Sequence, residues 1–60
     1  MRPKEVIKLL EKAGWFEVRQ SGSHKIFKHL KKELTIVVPY HNKEMGSGLT
    51  NKILKQAGLK

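Results

Sequence analysis

The chain has 60 residues, and its 13 Lys and Arg against 5 Asp and Glu give a formal net charge of +8. This length is enough for a single domain, residues 1–60, and a domain of that size buries only about 60% of its unfolded surface. The chain contains no cysteine, which excludes disulfides, iron–sulfur clusters and thiolate zinc sites.

The positive charge predicts a negatively charged partner. A nucleic acid or an acidic protein fits best, and an anionic membrane surface is a weaker third option. The chain has no run of about 18 apolar residues, and its first residues lack the apolar core of a secretory signal. We therefore expect a soluble protein of the cytoplasm, and nothing in the composition calls for a cofactor.

The first predicted element is a helix over residues 3–13. Pro3 suits the first helical position, and Val6, Leu10 and Ala13 recur on one face. Gly14 then provides a left-handed cap that ends the helix. A second helix with the same kind of ending is predicted from a cap at Ser47 to Gly58.

Three strands are predicted between the helices, over residues 15–20, 24–29 and 34–38. Ser21-Gly22-Ser23 reads as a three-residue hairpin loop with a G1 bulge, and Leu30 to Glu33 as the second turn. Neighbouring apolar residues, such as Trp15 with Phe16, cannot all be buried by strict alternation, so a bulge or partial cover is expected. The predicted fold is α+β, in the order α-β-β-β-α, with both helices on one face of a three-stranded antiparallel sheet.

His24 is the candidate catalytic residue, because an imidazole titrates near physiological pH. At the start of a strand in a basic protein, it can accept the proton of an RNA 2′-hydroxyl, whose oxygen then attacks the adjacent phosphorus. This chemistry gives a cyclic phosphate and needs no metal. We expect Gly22 and Ser23 to contact the phosphate, and Lys25 and Lys28 to stabilise the developing charge.

Further residues complete the predicted RNA-binding patch. Arg19 adds positive charge beside the hairpin, Tyr40 is the most plausible base-stacking residue, and His41 is a candidate acid or phosphate ligand. A metal site built from His24, His29 and His41 is a weak alternative, and His29 is more simply a solvated histidine. His24 itself also fits a surface histidine with no chemical role.

Four segments of the chain resemble the HicA toxin family, and together they cover about residues 3–59. They are the helix end Leu10-x-x-Ala13-Gly14-Trp15, the hairpin Gln20-x-Gly22-Ser23-His24-x-Ile26-Phe27, the segment Val38-Pro39-x-His41-x-Lys43-Glu44, and the closing Ile53-Leu54-Lys55-Gln56-Ala57-Gly58-Leu59.

The resemblance implies a fold like the double-stranded RNA-binding domain and mRNA cleavage that rests on one histidine, which corresponds to His24. It also implies a HicB-type antitoxin as the protein partner, with mRNA as the substrate. Three segments depart from the family pattern: Lys25, the turn Lys31-Lys32-Glu33, and the helix start Gly48-Leu49-Thr50.

Two other functions remain open from the residues alone. One is a non-catalytic RNA-binding module whose basic face reads shape and backbone. The other is a small DNA-binding or ribosome-associated accessory protein.

Overall fold

The computed structural model describes residues 1–40 and 44–60, which form two helices and three strands. The strands make one antiparallel sheet in the order β1-β2-β3. The prediction of an α-β-β-β-α fold is confirmed. The elements are α1 (Pro3–Lys12), β1 (Trp15–Ser21), β2 (His24–His29), β3 (Lys32–Pro39) and α2 (Ser47–Gln56).

Both helices end as their sequences predict. Gly14 follows α1 with a φ of 96°, and Gly58 follows α2 with a φ of 76°. After α2, the N–H of Leu59 donates to the carbonyl oxygen of Leu54 at 2.8 Å, which is the long hydrogen bond of a Schellman motif. The start of α2 differs from the prediction, because Gly46 is the N-cap and Ser47 is the first helical residue.

The first hairpin is tighter than predicted. Ser21 pairs with His24, so the loop contains two residues, and Gly22 takes the positive φ of 58° that a two-residue loop with glycine in first place requires. The prediction of a three-residue loop with a G1 bulge was wrong. A register shift lies instead within β1, between Glu17 and Arg19, and this irregularity meets the expectation of a bulge.

The second hairpin also has a shorter turn than predicted, since His29 pairs with Lys32 and leaves only Leu30 and Lys31 between the strands. Neither Leu30 nor Lys31 is a residue type that is common in β-turns. The His29 side chain compensates, because its Nδ1 accepts a hydrogen bond from the N–H of Lys31 at 3.0 Å. A side chain from the strand therefore closes this turn.

The hydrophobic core lies between the helices and one face of the sheet. It consists of Val6, Leu10, Trp15, Phe27, Ile36, Val38, Met45, Ile53 and Ala57. The neighbouring apolar pairs separate between the two faces: Trp15 is 2% exposed and Phe16 is 42% exposed. The second face of the sheet is covered by neither helix. No helix among the described residues is long and apolar enough to cross a membrane.

Candidate nucleic-acid interface

His24 is exposed on the uncovered face of the sheet. It is the first residue of β2 and lies opposite Ser21 on β1 and Pro39 on β3. Directly paired residues of antiparallel strands project to the same face. Because β2 alternates, the residues two and four places further along, Ile26 and Lys28, share this face with His24.

We call this uncovered surface the open face. Its rows across the sheet are Ser21–His24–Pro39, Arg19–Ile26–Val37 and Phe16–Lys28. The open face therefore combines one imidazole, two cations and a band of apolar side chains. An exposed aromatic ring beside positive charge is the surface that single-stranded RNA uses, with bases on rings and phosphates on cations.

Arg19 is the cation nearest to His24 on the open face. It is the diagonal neighbour of His24 across β1 and β2, and such neighbours are about 7–8 Å apart, within reach of a long side chain. Lys28 is four residues further along β2, about 13 Å away at the usual rise per residue. Arg19 can therefore contact the same phosphate as His24, whereas Lys28 can contact only a neighbouring one.

The Gly22-Ser23 turn next to His24 is held at both ends and open at its tip. Nε2 of Gln20 donates to the carbonyl oxygen of Gly22 at 3.1 Å. The N–H of Tyr40 donates to the carbonyl oxygen of Ser23. A Cβ atom added at Gly22 would meet no atom within 4 Å. A phosphate can therefore approach the backbone of this turn closely.

Lys25 and Tyr40 lie apart from His24. As the residue after His24 in β2, Lys25 projects to the opposite face, where its Nζ is 3.1 Å from a carboxylate oxygen of Glu17. The same ammonium lies 4.8 Å from the centroid of the Tyr40 ring. An ammonium engaged by a carboxylate and a ring offers little charge to a phosphate on the open face. Its evident role is to hold Tyr40 beside the turn.

His29 is a structural residue and not a solvated one, so that expectation was wrong. Its ring is half-buried and meets the Trp15 ring edge-on, with centroids 5.2 Å apart. Nε2 is 3.0 Å from the carbonyl oxygen of Ala13, while Nδ1 accepts from Lys31. This pattern requires Nε2 to carry the hydrogen and donate it.

The alternative metal site gains no support from the described residues. His24 and His29 project to opposite faces of β2, and His41 lies outside the described residues. Nowhere in residues 1–40 and 44–60 do three His, Asp or Glu side chains gather as ligands.

Phe16 is an exposed aromatic residue of the open face, and the sequence reasoning ranked it below Tyr40 as a base-stacking residue. The sequence does indicate that either Trp15 or Phe16 lies on the open face, because two adjacent residues of a strand project to opposite faces. Which of the two faces outward depends on the helices, which pack against Trp15. The exposure of Val37, at 46%, has the same origin, whereas Val18, at 43%, lies at the register shift of β1.

Comparison with known proteins supplies the family. A model of the HicA toxin of bacterial toxin–antitoxin systems matches residues 3–59, which is nearly the whole chain. None of the curated proteins compared with the chain matches it. The matched range contains both helices, all three strands and His24. The chain therefore belongs to the HicA toxin family.

Proposed function

We propose that this toxin is an mRNA endoribonuclease of a type II toxin–antitoxin pair, and that His24 is its general base. The observation that carries the proposal is the exposed imidazole of His24 on the open face, with Arg19 as its diagonal neighbour and the Gly22-Ser23 turn beside it. The family membership supports the toxin role.

In the proposed reaction, the imidazole of His24 accepts the proton of a ribose 2′-hydroxyl. The 2′-oxygen then bonds to the adjacent phosphorus, the bond from phosphorus to the 5′-oxygen breaks, and the leaving 5′-oxygen takes up a proton. The products are a 2′,3′-cyclic phosphate and a 5′-hydroxyl end. The protein supplies the base and the positive charge, and the reaction requires no metal ion.

The other predicted RNA-binding residues contact different parts of the RNA, according to their positions. Arg19 stabilises the negative charge on the reacting phosphate, and the backbone of Gly22 and Ser23 contacts its oxygens. Lys28 binds the neighbouring phosphate. Tyr40, held by Lys25, stacks on a base at the edge of the turn.

His41 is assigned as an acid or phosphate ligand from the sequence alone, because it lies outside the described residues. The partner that silences the enzyme is a HicB-type antitoxin whose acidic side chains cover the positive open face and block access to His24.

The test compares the parent protein with His24→Ala and with Lys8→Gln on a long mRNA in excess EDTA. The variant at Lys8 is the control, because it changes an exposed residue of α1, away from the open face. We expect the parent and Lys8→Gln to cleave at rates within about threefold of each other, and His24→Ala to lose at least about a hundredfold. Circular dichroism and thermal unfolding establish that all three are folded.

The second candidate function is an RNA-binding module without catalysis, which the exposed Phe16 and the open-face cations also suit. It is favoured if parent and His24→Ala bind the mRNA equally and neither cuts it. Cleavage that stops in EDTA would overturn the metal-independent mechanism.

A further inference from the structure

A groove runs between the outer edge of β3 and helix α2. Its volume is about 200 Å³, and it lies at the edge of the sheet. Two strand residues and four helix residues line it: Thr35, Val37, Leu49, Lys52, Ile53 and Gln56. The groove is built from elements that do not contain His24.

The strand side of this groove presents unpaired backbone. The N–H of Tyr40 points to β2, where it donates to Ser23. Alternation along the regular part of this antiparallel strand then directs the backbone of Val38 and Ile36 to β2, and that of Val37 outward. β3 is an edge strand, and no strand among the described residues pairs with its outer side. Pro39, which has no N–H to offer, occupies the outward position at the end of this edge.

The chemistry of the groove selects a peptide and not a nucleic acid. An outward edge alternates N–H donors with carbonyl acceptors, and an extended peptide satisfies both. The phosphate groups of a nucleic acid offer only acceptors and carry negative charge, so they do not match the alternating donors and acceptors of a strand edge, and its carbonyl groups would repel them. The helix side adds the apolar Leu49, which is 40% exposed, above the buried Ile53. The Leu49 side chain suits an apolar residue of an added strand.

Charge indicates which peptide fits. Lys52 is the sole charged residue among those that line the groove, and α2 carries two lysines and no acidic residue. A second copy of the chain would bring a further formal charge of +8 against the first, which opposes self-association. An acidic partner gains from the same field.

We propose that an extended, acidic segment of the antitoxin binds in this groove as a fourth strand, paired with the outer edge of β3 at Val37. An apolar side chain of the segment packs on Leu49, and a carboxylate meets Lys52. This inference rests on the proposed toxin–antitoxin function. It gives the antitoxin an anchor along the outer edge of β3 in addition to its contacts on the open face, so that blocking of His24 does not depend on contacts with the catalytic residues alone.

The experiment uses the full chain and a purified HicB-type antitoxin. Titration calorimetry compares Val37→Pro with Val37→Thr. Proline removes the outward N–H without removing a hydrogen bond to β2, while threonine keeps this N–H and the branched shape. We expect Val37→Pro to weaken binding about tenfold and Val37→Thr less than about threefold. Lys52→Glu is compared in the same way with Lys4→Glu on α1, and the groove variant is expected to lose about tenfold more.

Hydrogen exchange on the unaltered protein decides the matter even if the proline variant does not fold. The amide of Val37 should exchange rapidly in the free chain and slowly in the complex. An unprotected Val37 amide in the complex, with Val37→Pro and Val37→Thr binding equally, would overturn the inference. So would an RNA that protects this amide when the partner protein does not.

Cleavage of mRNA by the free parent is measured alongside. A failure of cleavage defeats the proposed catalytic function and leaves the amide protection as an independent result. Normal cleavage with an unprotected Val37 amide defeats the groove inference alone.

Discussion

The side chain of His29 joins three parts of the fold. It donates to the carbonyl oxygen at the end of α1, packs edge-on against Trp15 at the start of β1, and accepts from the turn between β2 and β3. A hydrogen bond of this kind contributes about 0.5–1.5 kcal/mol, and an unmet buried carbonyl costs about 1–3 kcal/mol. Substitutions that disturb the contacts of His29 are therefore expected to lower the free energy of unfolding.

Gly14 is the neighbour most constrained by His29. Its φ of 96° disfavours any side chain, and an added Cβ would lie 2.8 Å from Nε2 of His29. We predict that Gly14→Ala lowers the free energy of unfolding by about 1–3 kcal/mol. Urea unfolding followed by circular dichroism measures this change.

The matched control for that substitution is Gly48→Ala. Gly48 lies within α2, and a Cβ there would meet no atom within 4 Å. Alanine should raise the free energy of unfolding at this position by about 0.4–1 kcal/mol. Equal effects at the two glycines would show that the contact with His29 and the positive φ carry no cost.

Thr50 is the one buried polar residue in the described part of the chain, and it is 6% exposed. Its Oγ1 has no hydrogen-bond partner among the described residues. We predict that Thr50→Val leaves the free energy of unfolding unchanged or raises it by up to about 1 kcal/mol, because a buried hydroxyl without a partner costs desolvation. Chemical denaturation provides the measurement, with the exposed Thr35→Val as control. A clear loss of stability at Thr50 would contradict the prediction.

At the scale of elements, the sheet separates the proposed catalytic site, on its open face, from the hydrophobic core on its other face. β2 carries His24 and Lys28 on the open face, while Phe27 in the same strand is fully buried. Phe27 anchors the strand in the core, and β1 and β3 pair with it on both sides. A catalytic side chain on such a strand is held more precisely than one on a loop.

This division of the sheet predicts which cations bind RNA. We expect replacement of both Arg19 and Lys28 by Gln to reduce the slope of log K against log salt by about 1.4, since each phosphate neutralised on a single strand contributes about 0.7. Fluorescence anisotropy with a labelled single-stranded RNA, in a His24→Ala background that prevents cleavage, gives the slope.

The control for this pair changes Lys8 and Lys12 to Gln, which removes the same charge from the exposed side of α1. This variant should keep the parent slope to within about 0.3. If the slope decreases as much for the helix variant as for the sheet variant, RNA binding depends on the overall charge of the molecule and not on the cations of the open face.

At the scale of the whole molecule, a small core and a charge of +8 predict that the free chain is only marginally stable. Positive charges repel one another in the folded state, and an acidic antitoxin relieves that repulsion. A partner that binds only the folded chain also stabilises it by mass action, by about 2.7 kcal/mol at a hundred times Kd.

We therefore predict that the antitoxin raises the Tm of the toxin, by about 10 °C or more at that concentration, since 1 kcal/mol shifts a domain of this size by about 4–8 °C. Differential scanning calorimetry over a series of partner concentrations measures the effect. A Tm that does not change with antitoxin concentration would contradict the prediction.

Much of this protein follows from local sequence alone. Pro3, Gly14, Gly22 and Gly58 mark the ends of helices and the first turn, because each has a backbone preference that does not depend on the rest of the chain. The spacing of apolar residues then predicts two helices and three strands in the observed order. The candidate base, His24, came from the same local pattern and lies exposed as expected.

Other features depended on contacts between residues far apart in sequence. The tertiary structure decided that Trp15 faces the helices and Phe16 the solvent, that His29 supports a turn, and that Lys25 pairs with Glu17 instead of joining His24. Local propensity does not specify these outcomes, because they depend on strand register and on the face that the helices cover. A shift of one residue in register would exchange the two faces of a strand. For this reason the elements and the candidate base are properties of the sequence, whereas the open face and the groove beside β3 exist only in the folded molecule.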